Sequence, residues 1–91
     1  MCHGHASECG TSVMLYLHPE YVDMSKSEKV TPKEGADYEK YGDFITYTPF
    51  NETTESGTLG DATIATAEKG KLIVDSCVAR IVEYMKDEFG C

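Results

Sequence analysis

Near the start of the chain, His5-Ala6-Ser7-Glu8-Cys9-Gly10-Thr11-Ser12 crowds an imidazole, a carboxylate, a thiol and several hydroxyls into one stretch. Each group has a use. An imidazole titrates near neutral pH, so His5 can carry a proton to or from a reacting group. Its bland alternative is an exposed polar residue idling ahead of a helix. Glu8 can orient a water or a neighbouring group, or simply meet the positive end of a helix dipole. Cys9 is a nucleophile only with a base beside it, and its spacing from His5 at a helix start is thin support for one. Thr11 and Ser12 suit bonding back to helix carbonyls or packing on a neighbour. His3 and His5, with Cys2 or Cys9, could also chelate a metal from an extended segment. Ligands so close to a terminus fit an adventitious site better than a functional one.

These residues need elements to hold them. Ser7 can cap a helix with Glu8 in its first turn. The run Val13-Met14-Leu15-Tyr16-Leu17 is apolar on every face and reads as a buried helix. Pro19 makes His18 an unsuitable interior position, so the helix stops there, with one more turn available at Pro19–Val22. Residues 23–43 read as a polar loop punctuated by Pro32 and Gly35, with one helical turn around Asp37 to Tyr41. Phe44-Ile45-Thr46-Tyr47-Thr48 is β-branched and aromatic, a short strand limited by Pro49. Asn51 to Gly60 is turn-rich.

The last element is the plainest. Asp61 is a good N-cap. Ile64, Ala67, Lys71 or its neighbour Leu72, Val74, Val78, Ile81 and Met85 then recur at three- and four-residue steps counted through position 71, which predicts an amphipathic helix over Ala62 to Phe89 ended by Gly90. Such a helix is roughly 40 Å long. Gly70 inside it costs about 1 kcal/mol relative to Ala and therefore implies close packing or a bend. Cys77 falls on its apolar face and reads as core. One short helix and one short strand cannot cover the stripe of this helix, so the chain reads as part of a larger α/β body.

Composition sets the outer bounds. Ninety-one residues with a net charge of −8 allow one small, marginal domain or a piece of a larger one. The acidity argues against a nucleic-acid or anionic-membrane partner. No apolar run is long enough to span a bilayer, and the first residues do not read as a signal peptide. A cytoplasmic location is the expectation, with the four cysteines kept as thiols and no zinc-type Cys-x-x-Cys among them.

Two blocks carry a resemblance. His5-Ala6-Ser7-Glu8-Cys9-Gly10-Thr11-Ser12 resembles the His-Ala-Gly-x-x-Glu-Thr-Ser motif of the creatininase (creatinine amidohydrolase) family, and the apolar run to His18-Pro19-Glu20-Tyr21-Val22 continues it. Ser56-Gly57-Thr58-Leu59-Gly60-Asp61-Ala62-Thr63-Ile64-Ala65-Thr66-Ala67-Glu68-Lys69-Gly70 is similar to the family's Ser-Gly-x-x-Gly-Asp-Pro-Thr-x-Ala-Thr-x-Glu-Lys-Gly segment. Four positions depart from the family pattern. Gly10 stands where most members have Glu, Ser7 where they have Gly, Ala62 where they have Pro, and His3 where many have Asp. Glu8 lies only two residues from Gly10, a rotation of about 200° on a helix, so the two positions point apart.

Members are far longer, and this chain resembles their C-terminal third. The resemblance implies a single partial domain over residues 1–91, the C-terminal part of a three-layer α/β/α fold whose intact form is a hexamer. It implies a metal-dependent amidohydrolase using zinc or manganese against a C–N amide bond of a small molecule, either a cyclic amide or a formamide. His5 and Glu8 take catalytic places, and His3 and Gly4 substrate-binding ones. The metal ligands of the family lie upstream, so no metal ligand and no cofactor are expected for this chain alone. The expectation is a truncated or split gene product, inactive by itself, whose partner is the N-terminal portion or further copies. The alternatives are a non-catalytic fragment that docks on a partner, or a small His/Cys metal-binding protein.

Overall fold

The computed structural model describes residues 4–31 and 49–90. In chain order they form α1 (Glu8–Leu17), two 3-10 turns (Pro19–Tyr21 and Met24–Lys26), β1 (Lys29–Val30), a short helix α2 (Phe50–Thr53), β2 (Gly60–Asp61) and the long helix α3 (Ala67–Phe89). The strand expected at Phe44–Thr48 and the helical turn expected around Asp37 lie outside the described residues.

α1 starts and stops where the sequence places it. Ser7 is its N-cap residue with extended backbone, although its hydroxyl makes no cap bond to the helix. Its carbonyl takes the first helical bond from the Thr11 N–H at 3.0 Å. At the other end the His18 N–H closes on the Met14 carbonyl at 2.8 Å. Pro19 then opens a 3-10 turn, because a proline suits a first helical position but cannot continue the helix behind it.

Residues 23–31 are more ordered than a polar loop. Asp23 accepts from the Ser25 N–H at 3.1 Å and so caps the second 3-10 turn. The chain then pairs antiparallel with β2, Lys29 opposite Asp61 and Val30 opposite Gly60. A strand of two residues carries no alternation, so nothing in the local pattern announces it.

The start of α3 corrects the expected boundary. The helix begins at Ala67, not Ala62, and its cap is Thr66, whose hydroxyl accepts from the Lys69 N–H at 3.2 Å. Asp61 belongs to β2, and its carboxylate instead accepts from the Thr63 N–H at 2.9 Å and from the Thr63 hydroxyl. That hydroxyl holds the Asp61 carboxyl below the usual carboxylate range. Asp, Thr and Thr are all good caps, and the strand pairing of Asp61 decides among them. The far end is as expected: Gly90 adopts a left-handed φ of 66° and its N–H returns to the Lys86 carbonyl at 3.0 Å.

α1 lies against the first turns of α3. A Cβ built on Gly70 would sit 1.9 Å from the Ser12 carbonyl oxygen, so the backbones meet at a distance only glycine permits. Gly70 is thus the close-packing glycine that the sequence implies. The buried side chains among the described residues are small: Ser7, Ser12, Thr53, Thr54, Ala62 and Ala65. Many of the large apolar residues face outward, while Val13, Leu15, Ile73 and Val74 are half-buried. Met14, Tyr16 and Leu17 of α1 are exposed, which corrects the reading of α1 as a buried helix. Cys77 is exposed as well, so its expected place in a core is also corrected. The cause is the same in both cases. The described residues offer those faces no covering layer. Among the described residues no helix is long and apolar enough to cross a membrane.

Candidate active site

His5 sits just before α1 and is held from three sides. Its backbone exchanges two hydrogen bonds with Leu59, His5 N–H to Leu59 O at 2.9 Å and Leu59 N–H to His5 O at 2.8 Å. Its ring Nδ1 lies 2.6 Å from the Gly57 carbonyl oxygen. Its ring meets Phe50 edge to face, centroids 4.8 Å apart at 64°. The chain on either side is shaped for this. A Cβ on Gly4 would lie 1.9 Å from the Leu59 carbonyl oxygen, so a glycine lets the two segments close. Ala6 turns the chain from the bridge into α1 with a φ of +48°, a left-handed conformation costing a non-glycine residue about 1 kcal/mol. Such strain is commonest at functional sites.

An open groove of about 470 Å³ runs beside His5, between α1 and the turns at residues 21–27. Met14, Met24 and Ala62 give it an apolar floor; Thr11, Thr58 and His5 are polar points on its wall. Asp23 and Lys26, 3.9 Å apart, form a weak exposed ion pair at its edge. Gly10 lines the same groove, and a Cβ there would meet nothing within 4 Å. A side chain at this position would therefore start in open space.

The residues singled out by sequence do not all gather here. Glu8 points the other way, as the helical rotation requires, and its carboxylate pairs with Lys69 Nζ on α3 at 2.9 Å. The same ammonium donates to the Ile64 carbonyl at 2.7 Å. Gly4 contributes its backbone approach to Leu59 and is not part of the groove wall. His3 lies outside the described residues. Thr11 donates from its hydroxyl to the Ala6 carbonyl at 3.3 Å, the backward bond expected of it. Ser12 is fully buried, and its hydroxyl oxygen accepts the Thr66 N–H at 3.1 Å. Cys9 is disulfide-bonded, which corrects the expectation that it would be a thiol and leaves it no nucleophilic sulfur. Cys77 is a free thiol.

Sequence reasoning missed Phe50, Gly57 and Leu59 as the supports of His5, and Lys69 as the partner of Glu8. Three of these lie in the second recognisable block, so the signal was the block itself. Its glycines and Lys69 answer residues of the first block. Phe50 stands in a turn-rich stretch and gave no signal. Among the described residues no three His, Cys, Asp or Glu side chains gather to hold a metal ion.

Comparison with known proteins agrees with the two blocks. The family model for creatininase, described as creatinine amidohydrolase, matches residues 2–85. A creatinine amidohydrolase of Pseudomonas putida is 37% identical over 85 residues, covering 93% of this chain and 31% of that protein. Among solved structures, a putative creatinine amidohydrolase from Bacteroides fragilis superposes with a TM-score of 0.76 at 28% identity, over 92% of this chain and 34% of that one. A manganese creatininase gives a TM-score of 0.69 at 32% identity, over 91% of this chain and 30% of that one. Others of the matched creatininase structures are a zinc–zinc form and a complex with creatine. The chain thus spans about a third of the length of the relatives it matches. With its family model matched along nearly the whole sequence and its fold shared with these enzymes, the chain belongs to the creatininase family.

Proposed function

We propose that the chain is the C-terminal portion of a metal-dependent amidohydrolase that opens a C–N amide bond in a small molecule, and that it does not turn over alone. The observation that supports this most is the imidazole of His5, anchored at its backbone and ring on the wall of an open groove. Cleaving an amide requires a proton on the departing nitrogen, which is otherwise too basic to leave. His5 delivers that proton. Met14, Met24 and Ala62 give the groove an apolar surface for the carbon skeleton, and Thr11 and Thr58 offer polar contacts beside it. Glu8 is assigned to the contact with Lys69 rather than to the chemistry. The described residues do not fit a metal centre, so no step is assigned to a metal in this chain. The metal implied by the family would be held by an upstream portion.

The test joins this chain to the upstream part of the Pseudomonas putida relative at the matched boundary and assays creatinine ring opening with zinc or manganese. The joined protein should turn over and the chain alone should not. His5→Ala in the joined protein should lower kcat by about 10²–10⁴-fold. Turnover by the chain alone, or a joined enzyme indifferent to His5→Ala, would overturn the reading.

A second reading has its own observation. The distal part of α3 exposes Val78, Ile81, Val82 and Met85 together. Exposed apolar faces of this kind mark interaction surfaces. On this reading the chain is an assembly piece that docks on a partner supplying the missing sheet. The two readings part on His5, which matters only to the first.

A further inference from the structure

The geometry points to Gly57 as the positioning residue of His5: its carbonyl fixes the imidazole as the Nδ1–H form and leaves Nε2 as the nitrogen that exchanges protons. The inference rests on the proton-delivery role proposed for His5 and says which atom performs it.

A carbonyl oxygen can only accept a hydrogen bond. At 2.6 Å from the Gly57 oxygen, Nδ1 must therefore carry the hydrogen. A neutral imidazole has one N–H, so Nε2 is left with its lone pair. An unrestrained neutral histidine in water favours the opposite form. The Gly57 bond thus selects the minor tautomer.

The support is stiff on both sides of the bond. His5 cannot swing away by its backbone, because the paired hydrogen bonds with Leu59 hold it. Its ring is flanked by Phe50. On the other side, the loop carrying Gly57 is clipped twice. The buried Thr54 donates from its hydroxyl to the Thr58 carbonyl at 2.7 Å, and the Thr58 N–H donates to the Ser56 hydroxyl at 3.2 Å. Gly57 itself has a φ of +91°, where residues with side chains are strained. A Cβ there would meet nothing within 4 Å. A substitution at Gly57 therefore acts by turning the peptide and its carbonyl, not by bulk.

The consequence for proton transfer is direct. Nε2 accepts a proton released by the attacking water and passes it to the departing nitrogen, so the imidazole ends with the hydrogen it began with. Nδ1–H keeps its bond to Gly57 throughout, and in the charged state the carbonyl dipole faces the cation.

The test reads the tautomer without any turnover. His3→Gln and His18→Gln together leave His5 as the single imidazole. Its ring nitrogens are then read by long-range proton–nitrogen NMR, at a pH above the imidazole titration range. The expected spectrum has a pyridine-type Nε2 and a pyrrole-type Nδ1. Gly57→Ala should return the ring to the Nε2–H form with helix content unchanged by circular dichroism. Gly57→Asn, which tolerates positive φ, should keep Nδ1–H. A predominant Nε2–H form in the parent overturns the inference, as does a folded Gly57→Ala whose ring spectrum matches the parent. Should Gly57→Ala fail to fold, the parent and Gly57→Asn spectra decide. An inactive joined enzyme would sink the proposed function and leave this result standing.

Discussion

The first turns of α3 and its distal half share one helix and have opposite surroundings. At the first turns the contact with α1 is close and tied by specific bonds. Ser12 accepts the Thr66 N–H, Lys69 reaches Glu8, and Gly70 lets the two backbones meet. In the distal half, side chains are large and bare, with Ile81 58% exposed and Phe89 67%. The near end shows specificity without much hydrophobic area. The far end shows hydrophobic area without specificity. Together they indicate that the described residues carry an alignment device but no large apolar core. A domain of this size is marginal even with a full core.

The sharpest way to break the contrast is at Gly70. Gly70→Ala pushes a Cβ into the Ser12 carbonyl, and backbone cannot yield as a side chain tip can. It should destabilise the chain by about 3 kcal/mol in urea titrations followed by circular dichroism. An unchanged midpoint would mean the two helices do not meet as described. Next comes Ser12→Ala, which leaves the Thr66 N–H without its acceptor. Its expected cost is about 1–3 kcal/mol, read as a lowered melting temperature.

Glu8→Gln tests the ion pair with Lys69. The pair is partly exposed, so the loss should be at most about 1 kcal/mol and should shrink as salt is added. A loss insensitive to salt would assign Glu8 some other role. The smallest effect is expected in the distal half. Ile81→Asp should move stability by no more than about 0.5 kcal/mol in the isolated chain. A large loss there, with a change of mass in light scattering, would show that the stripe is covered by another copy and would erase the contrast.

What the sequence made legible follows the same division. α1 was readable because Ser7 and Pro19 mark its ends locally, and the end of α3 because Gly90 does. Gly70 was readable as a close approach because a helix pays for glycine only with a reason. The start of α3 was not. Asp61, Thr63 and Thr66 compete as caps, and a pairing with Lys29 across the chain settles it. The two-residue strand β1 was hidden in a polar stretch for want of length. Of the site, His5 was legible from the motif, but its supports were not. Gly57, Leu59 and Phe50 lie some fifty residues on, and no local pattern joins them to it. Cys77 was misplaced because periodicity says which side of a helix is apolar, not whether anything lies against it.

The pairing of His5 with Leu59 and the bond from Thr66 to Ser12 each join residues 54 apart in sequence. Both therefore close nearly the same loop of chain. The entropy lost in closing a loop depends on its length, so whichever contact forms first removes most of that barrier for the other. The candidate catalytic imidazole and the helix junction are then one cooperative unit: loosening α1 from α3 releases His5 as well. Any binding partner that tightens the helix pair also stills the histidine, without touching the groove.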